Sequence, residues 1–468
     1  MSLIFPVITF AYATRILLPG GMGKIEFSKS YVAYFSIIAM LGIVNYGTRE
    51  GAKIRDNRKA LNKFAQELFF INIMSVLVAY TIFGVTLFFI PKLSDYTIIL
   101  LIYSITIPLT ALGMEWFYNA VEDYKYVAIR TTLTQITSVA LMLIFVKTEN
   151  DMWIYALIQV IAASGNNILN FFHLRKYIDI FHVKKNLSIK KHVKPILMLF
   201  CITLFIQIFT HMDSTMLGFM TNDKYVGLYS AAGKMTGMIS TMITALSLVT
   251  MPRIAYYVGK NSQSEICRLS IRIINLIMML GIPITVGMIM LSKNLILLFC
   301  GYEYLEADLA AKIMSLRIVL IPLNSFILLH LFIPLGKEKC NLLATGSAAL
   351  INLLVNIILI PAFYHSGAAI ATVIAEGTEL IVNIYSLSKF VDVRKAFCHI
   401  WQYILAGMSI AIICLINNKI FVSQLLSTFV SIGMSTVFYF VVLLMLHNDF
   451  IEEIMQGLSR RYKNRKHF

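Results

Sequence analysis

Apolar runs of about 20 residues recur along this chain almost from end to end, and that feature removes most of the folds open to a polypeptide. About 20 helical residues at 1.5 Å each cross a hydrocarbon layer about 30 Å thick. Inside such a layer only helices and closed barrels satisfy their own backbone, and runs this long are helical. Spans are expected at 1–18, 29–47, 66–90, 97–119, 128–146, 152–172, 196–219, 228–251, 273–292, 309–335, 342–361, 367–388, 400–418 and 421–446. The 468 residues are 58% hydrophobic and 14% charged, with a mean hydropathy of +0.77. A soluble domain is about half apolar and about a quarter charged, so this chain could not cover its own surface in water. The expected fold class is all-α integral membrane, with about fourteen transmembrane helices.

The net charge of +16 raises the question of nucleic acid. The placement of the 40 lysines and arginines answers it. With the N-terminus inside, the inner loops hold 29 of them and the outer loops 8, leaving Arg15, Lys234 and Arg317 within spans. Cytoplasmic loops carry the basic excess, so both termini are expected in the cytoplasm. The basic residues then lie beside an anionic leaflet, and no nucleic-acid partner is expected. The cysteines Cys201, Cys267, Cys300, Cys340, Cys398 and Cys414 lack CxxC or metal-ligand spacing, so neither a disulfide framework nor a metal centre is expected. No Lys or Arg precedes the apolar run of Met1–Ala13. It therefore reads as a first membrane helix rather than a signal peptide.

Motifs for an engine or a catalyst are missing. The stretches Gly20–Ile25 and Gly227–Met235 are glycine-rich but lack P-loop spacing. No HExxH or GxSxG occurs in a plausible setting. The expectation is a transporter, not an enzyme, without cofactors. An internal repeat is also visible. Residues 159–170 match 372–383, Phe27-Ser28 matches Tyr229-Ser230, Arg49 matches Arg253 and Lys125 matches Lys339. These matches suggest a six-helix lobe over 1–193, a second over 194–395, and a further helix pair with a basic cytoplasmic tail over 396–468. An even number of helices per lobe makes the repeat parallel, with substrate held between the halves.

Six segments in order carry a resemblance. They are FPVITFAYATRILLPGGMGK (5–24), YGTREGAK (46–53), GMEWFYNAVEDYKY (113–126), DSTMLGF with GLYSAAGK (213–219, 227–234), PLGKEK (334–339) and NLLVNIILIPAF with GAAIATVIAE (352–363, 367–376). Together they resemble the Wzx-type oligosaccharide flippases of the multidrug/oligosaccharidyl-lipid/polysaccharide exporter superfamily, over nearly the whole chain. The resemblance implies two six-helix bundles around a central cavity in a bacterial inner membrane. It implies a substrate, an oligosaccharide repeat unit on undecaprenyl diphosphate, moved to the periplasmic leaflet by alternating access for O-antigen, capsule or a related polysaccharide. A polymerase and a chain-length regulator are the implied partners. Family members carry a further stretch ahead of the segment matching Ser2–Phe5, so the first helix reads as short, about 27 Å. Two relatives of the same architecture stay open: a lipid II flippase of peptidoglycan synthesis and a multidrug antiporter. The span pair at 400–446 and the cations within spans speak against the antiporter. A membrane glycosyltransferase is disfavoured because the longest outer loop is only about 293–308.

A charge at the centre of a membrane helix costs about 2.5–3.5 kcal/mol on insertion scales, which marks it as a functional candidate. A diphosphate needs cationic donors, and arginine offers a planar fork. Arg15 lies near the outer end of its span, Lys234 about 9 Å and Arg317 about 12 Å below theirs; with Arg49 they are the candidate substrate-binding cations. Snorkelling of Arg15, pairing of Lys234 with Asp213 and a salt bridge of Arg49 with Glu50 are the structural alternatives. Glu115, Asp213, Glu376 and Glu379 are the candidates for coupling to a proton or sodium gradient, or else for pairing with those cations. Glu376 and Glu379, three apart, share a helix face. Pro6, Pro108, Pro283, Pro322 and Pro334 fall within spans as candidate bends. Asn166, Asn167, Asn170, Asn352 and Asn356 suit either sugar hydroxyls or bonds between helices. Trp116, Trp153 and Trp401 lie near span ends and fit an interfacial belt.

Overall fold

The computed structural model describes residues 4–178, 187–248, 250–389, 391–421 and 423–452. Among them every regular element is a helix. Most of the expected basic tail, and residues 179–186 of the 173–195 loop, fall outside the described residues. The chain divides into two compact units, Met1–Ser230 and Ala231–Phe468.

The first unit contains α1 (Ile4–Met40), α2 (Ile43–Lys53), α3 (Arg58–Phe89), α4 (Thr97–Ser104), α5 (Thr106–Gly113), α6 (Glu115–Ala120), α7 (Tyr124–Phe145), α8 (Met152–Leu174) and α9 (Lys190–Met220). Helix α10 (Asp223–Leu248) begins there and continues into the second unit. That unit adds α11 (Met251–Gly259), α12 (Gln263–Phe299), α13 (Asp308–Met314), α14 (Arg317–Ser325), a π-helical turn at Phe326–Phe332, α15 (Glu338–Leu387), α16 (Val393–Phe397), α17 (Ile400–Ile420) and α18 (Gln424–Met445).

Eleven helical stretches are long and apolar enough to cross a membrane, and the bent pair Tyr302–Met314 with Arg317–Phe332 makes a twelfth. Two of the eleven are 49 residues long, about 73 Å if straight and far more than one crossing needs. Each is broken. In α1 the break is at Leu18 (φ 53°, ψ 174°), in α15 at Tyr364 (φ 50°, ψ −128°). Counted as two crossings each, they bring the total to fourteen among the described residues.

The break at Leu18 has a local cause. Proline disfavours the α conformation in the residue before it, and Pro19 itself suits the first position of a new helix. The helix restarts there, so 19–28, expected as a loop, is helical, and the second crossing runs to Met40 rather than over 29–47. Further breaks fall at Leu41 (φ 44°) and Met114 (φ 38°). Pro108 stands three residues beyond the interruption at Ile105 between α4 and α5, whereas Pro6 and Pro283 lie inside helices that continue through them.

Side chains sort by solvent. Leu77, Val78, Phe88, Ile381, Phe429 and Met445 are exposed, as suits contact with acyl chains. Trp153 and Trp401 are also outward-facing. Trp116 departs from the expected belt: it is 2% exposed. Its ring lies over the glycine face of α2, where a Cβ on Gly47 or Gly51 would stand 2.6 Å or 2.9 Å away. In YGTREGAK the two glycines, four apart, therefore make the floor for an indole.

Lipid tails are as apolar as leucine, so helices in a bilayer associate through packing and polar contacts. The C-terminal pair follows that rule. Asn417 Nδ2 donates to Ser431 Oγ at 3.1 Å, and Ser427 Oγ to Asn418 Oδ1 at 2.9 Å. Tyr403 and Tyr439 hydroxyls donate to Asn275 Oδ1 (3.2 Å) and the Met279 carbonyl (2.8 Å) of α12.

Candidate functional site

Each unit holds its own concentration of polar groups. In the first, a cavity of 520 Å³ opens among α1, α5, α6, α7, α8 and α9. Lys29, Glu115 and Arg130 line it, together with His211. The amides of Gln159, Asn166, Asn167 and Gln207 and the hydroxyls of Ser36, Thr106 and Thr110, set among apolar side chains such as Val32, Ile37 and Met40, offer partners to hydroxyl-rich ligands.

Arg130 is built into this wall. Helix α7 starts at Asp123, whose side chain accepts from Tyr126 N at 3.3 Å, and Arg130 follows two turns later. It is only 4% exposed. The guanidinium lies 5.6 Å from the Tyr118 ring centroid and 5.8 Å from that of Tyr126, within cation–π range. Nη1 donates to the Asn166 carbonyl at 3.4 Å. Thr134 Oγ1 holds the Asn166 side chain at 2.9 Å. Tyr118 is fixed in turn by donating to the Asn170 carbonyl at 2.7 Å, while Asn170 Nδ2 donates to the Gly113 carbonyl at 2.9 Å. Among the described residues Arg130 has no carboxylate partner, and its buried Nε has no acceptor.

In the second unit the acids of α15 organise the interior. Thr372, Glu376, Glu379 and Asn383 are spaced four, three and four apart, one helix face, and all are buried. Arg317 Nε meets Glu376 Oε1 at 2.8 Å, with the two side chains 18% and 4% exposed. Asn324 Nδ2 donates to the Glu376 carbonyl at 3.0 Å, and Asn383 Nδ2 to Asn324 Oδ1 at 3.0 Å. Thr345 Oγ1 donates to Glu379 Oε1 at 3.1 Å. Ser240 Oγ of α10 donates to the Arg317 carbonyl at 3.2 Å.

The remaining candidates are dispersed. Arg15 is exposed on α1. Arg49 is 58% exposed and pairs with Glu50 at 3.0 Å, while Lys53 holds the other oxygen of Glu50 at 2.9 Å. Asp213 is buried and accepts from the Tyr229 hydroxyl at 2.5 Å. Lys234 is half-buried on α10, next to Gly233, where a Cβ would stand 3.7 Å from Arg317 Nη1. Of the asparagines, Asn166 and Asn167 face the first cavity, whereas Asn356 Nδ2 donates to Asn352 Oδ1 within α15 at 3.1 Å.

Reading the sequence span by span missed Lys29 and Arg130. Both fell at the edges of expected spans and were counted with loops. The available signal for Arg130 was its place two turns beyond the Asp123 cap. For Lys29 it was the helical run that carries on past Gly23.

The model of the family described as polysaccharide biosynthesis protein matches residues 1–258. The chain belongs to that family. The matched stretch contains every helix lining the first cavity. A Shigella dysenteriae protein named provisionally as an O-antigen transporter is 24% identical over 390 residues, 82% of this chain and 95% of the relative. A protein of Haloferax volcanii, named provisionally as a flippase of low-salt glycan biosynthesis, is 24% identical over 264 residues, 54% of this chain and 53% of the relative. Among solved structures, a lipid II flippase in an inward closed conformation superposes with a TM-score of 0.77 at 16% identity, covering 96% of this chain and 98% of that one. At that identity the likeness extends to the fold. The chain is a multi-pass helical membrane protein.

Proposed function

We propose that this chain is a flippase that moves oligosaccharide repeat units linked to undecaprenyl diphosphate from the cytoplasmic to the periplasmic leaflet. The observation that carries the reading is the alignment that spans 95% of a relative named for O-antigen transport. The chemistry is consistent with it. A sugar head group needs a wet, hydroxyl-binding passage, while its polyprenyl tail gains nothing by leaving the bilayer. The amide-lined cavity of the first unit supplies such a surface. The chain then acts as a transporter rather than a catalyst.

In this reading the repeat halves, 1–193 and 194–395, rock against each other to give alternating access, with 396–468 as an accessory pair. Arg15, Arg49, Lys234 and Arg317 serve the diphosphate; Glu115, Asp213, Glu376 and Glu379 serve ion coupling. The protein sits in the bacterial inner membrane and hands its product to a polymerase with its chain-length regulator.

Deletion of the gene is expected to abolish a surface polysaccharide and to leave its lipid-linked unit on the cytoplasmic side. Unchanged polysaccharide in the deletion strain overturns the reading. Orientation rests on the 29-to-8 split of basic residues and has its own test. On a cysteine-free background, Asn150→Cys is expected to react with an impermeant maleimide in intact cells, and Asn57→Cys only after permeabilisation. The opposite pattern inverts the topology.

A further inference from the structure

Arg130 poses a problem that the general flippase reading leaves open. An arginine stays charged at all biological pH values. Burying such a charge without a counter-ion is expensive, and two tyrosine rings with one carbonyl offset only a fraction of that. The missing component is an anion, and the place for one is the cavity that Arg130 lines.

The charge count says what kind. Lys29 and Arg130 stand against Glu115 among the lining residues, and Glu26 lies buried one turn before Lys29. A single carboxylate would answer the Arg130 guanidinium, whereas a diphosphate would add more negative charge than that one cation can match. The rest of the wall mixes amides and hydroxyls, which suit sugar hydroxyl groups, with the apolar side chains of Val32, Ile37 and Met40. A guanidinium fork matches the two oxygens of a carboxylate in its plane. The volume of 520 Å³ lies within the range of small-molecule sites.

We propose that the cavity of the first unit receives a carboxylate-bearing sugar, with Arg130 as the residue that sets this specificity, so that the lipid-linked unit is an acidic oligosaccharide. The inference rests on the flippase reading and adds the class of sugar.

Two synthetic probes that differ in one group test it: farnesyl-diphosphate-linked disaccharides ending in glucuronic acid or in glucose. Binding to the full-length protein in lipid nanodiscs is measured for the wild type, Arg130→Gln and Arg130→Lys. The wild type is expected to prefer the glucuronic probe by about tenfold to a hundredfold, the range for one charged hydrogen-bonding contact. Arg130→Gln should lose that preference while holding the glucose probe within about twofold of wild type, and Arg130→Lys should keep some of it. A wild type without preference overturns the inference and leaves the flippase reading standing. So does an Arg130→Gln variant that keeps the preference, or one that weakens both probes alike while its thermal unfolding matches wild type. If Arg130→Gln misfolds, the wild-type preference decides alone. A wild type that binds neither probe overturns the flippase reading and this inference with it.

Discussion

Arg317→Ala is expected to destabilise the protein by about 3–5 kcal/mol, the range for breaking a buried ion pair from one side. The substitution strips a buried carboxylate of a guanidinium 2.8 Å away. It also loosens Asn324 and Asn383, which hang on the same stretch of α15. Thermal unfolding followed by size-exclusion chromatography in detergent would measure the loss. Changing both partners separates stability from work. An Arg317→Met/Glu376→Leu double variant exchanges the pair for apolar groups of similar size, a change that is often neutral or stabilising. It is expected to fold at least as well as the wild type and to fail to restore surface polysaccharide. If it restores wild-type polymer, the pair is scaffolding and neither residue belongs to the transport path.

A larger effect is expected where α1 and α10 meet. A Cβ on Gly23 would stand 1.7 Å from the Asp223 carbonyl oxygen, and one on Gly227 2.0 Å from that of Pro19. Both obstacles are backbone, which cannot swing aside as a side chain can. Alanine at either position must therefore push the two main chains apart, and valine more so. Gly23→Ala and Gly227→Ala are expected to yield little monodisperse protein. Gly84→Ala is the control, since nothing lies within 4 Å of its Cβ; in the interior of α3 it should gain about 0.5–1 kcal/mol from helix propensity. Normal yields of both Gly23→Ala and Gly227→Ala would mean that the crossing is looser than described.

These contacts mark where the sequence was readable. The number of crossings and the fold class follow from apolar runs, because a bilayer leaves a backbone no other solution. Boundaries were less accessible. A loop was expected at 19–28, between two apolar spans, yet that stretch is helical and Gly23 within it serves a close helix crossing. Trp116 looked interfacial from its position along the chain, and only packing reveals the glycine floor beneath it. Candidate acids were easier to find than candidate cations. Glu376 and Glu379 stand out against an apolar run, and the structure buries both. Arg130 does not stand out. Its significance lies in having no carboxylate partner among the described residues, which one-dimensional patterns do not show.

The seam between α17 and α18 makes the surrounding lipid a working component of the protein's mechanics. Asparagine and serine contacts of this kind hold well only where water cannot compete for them. A micelle that admits water would weaken the seam before it disturbed interiors closed by large side chains. The last two helices are thus a local gauge of how dry their surroundings are, and extraction conditions that keep them together preserve the rest.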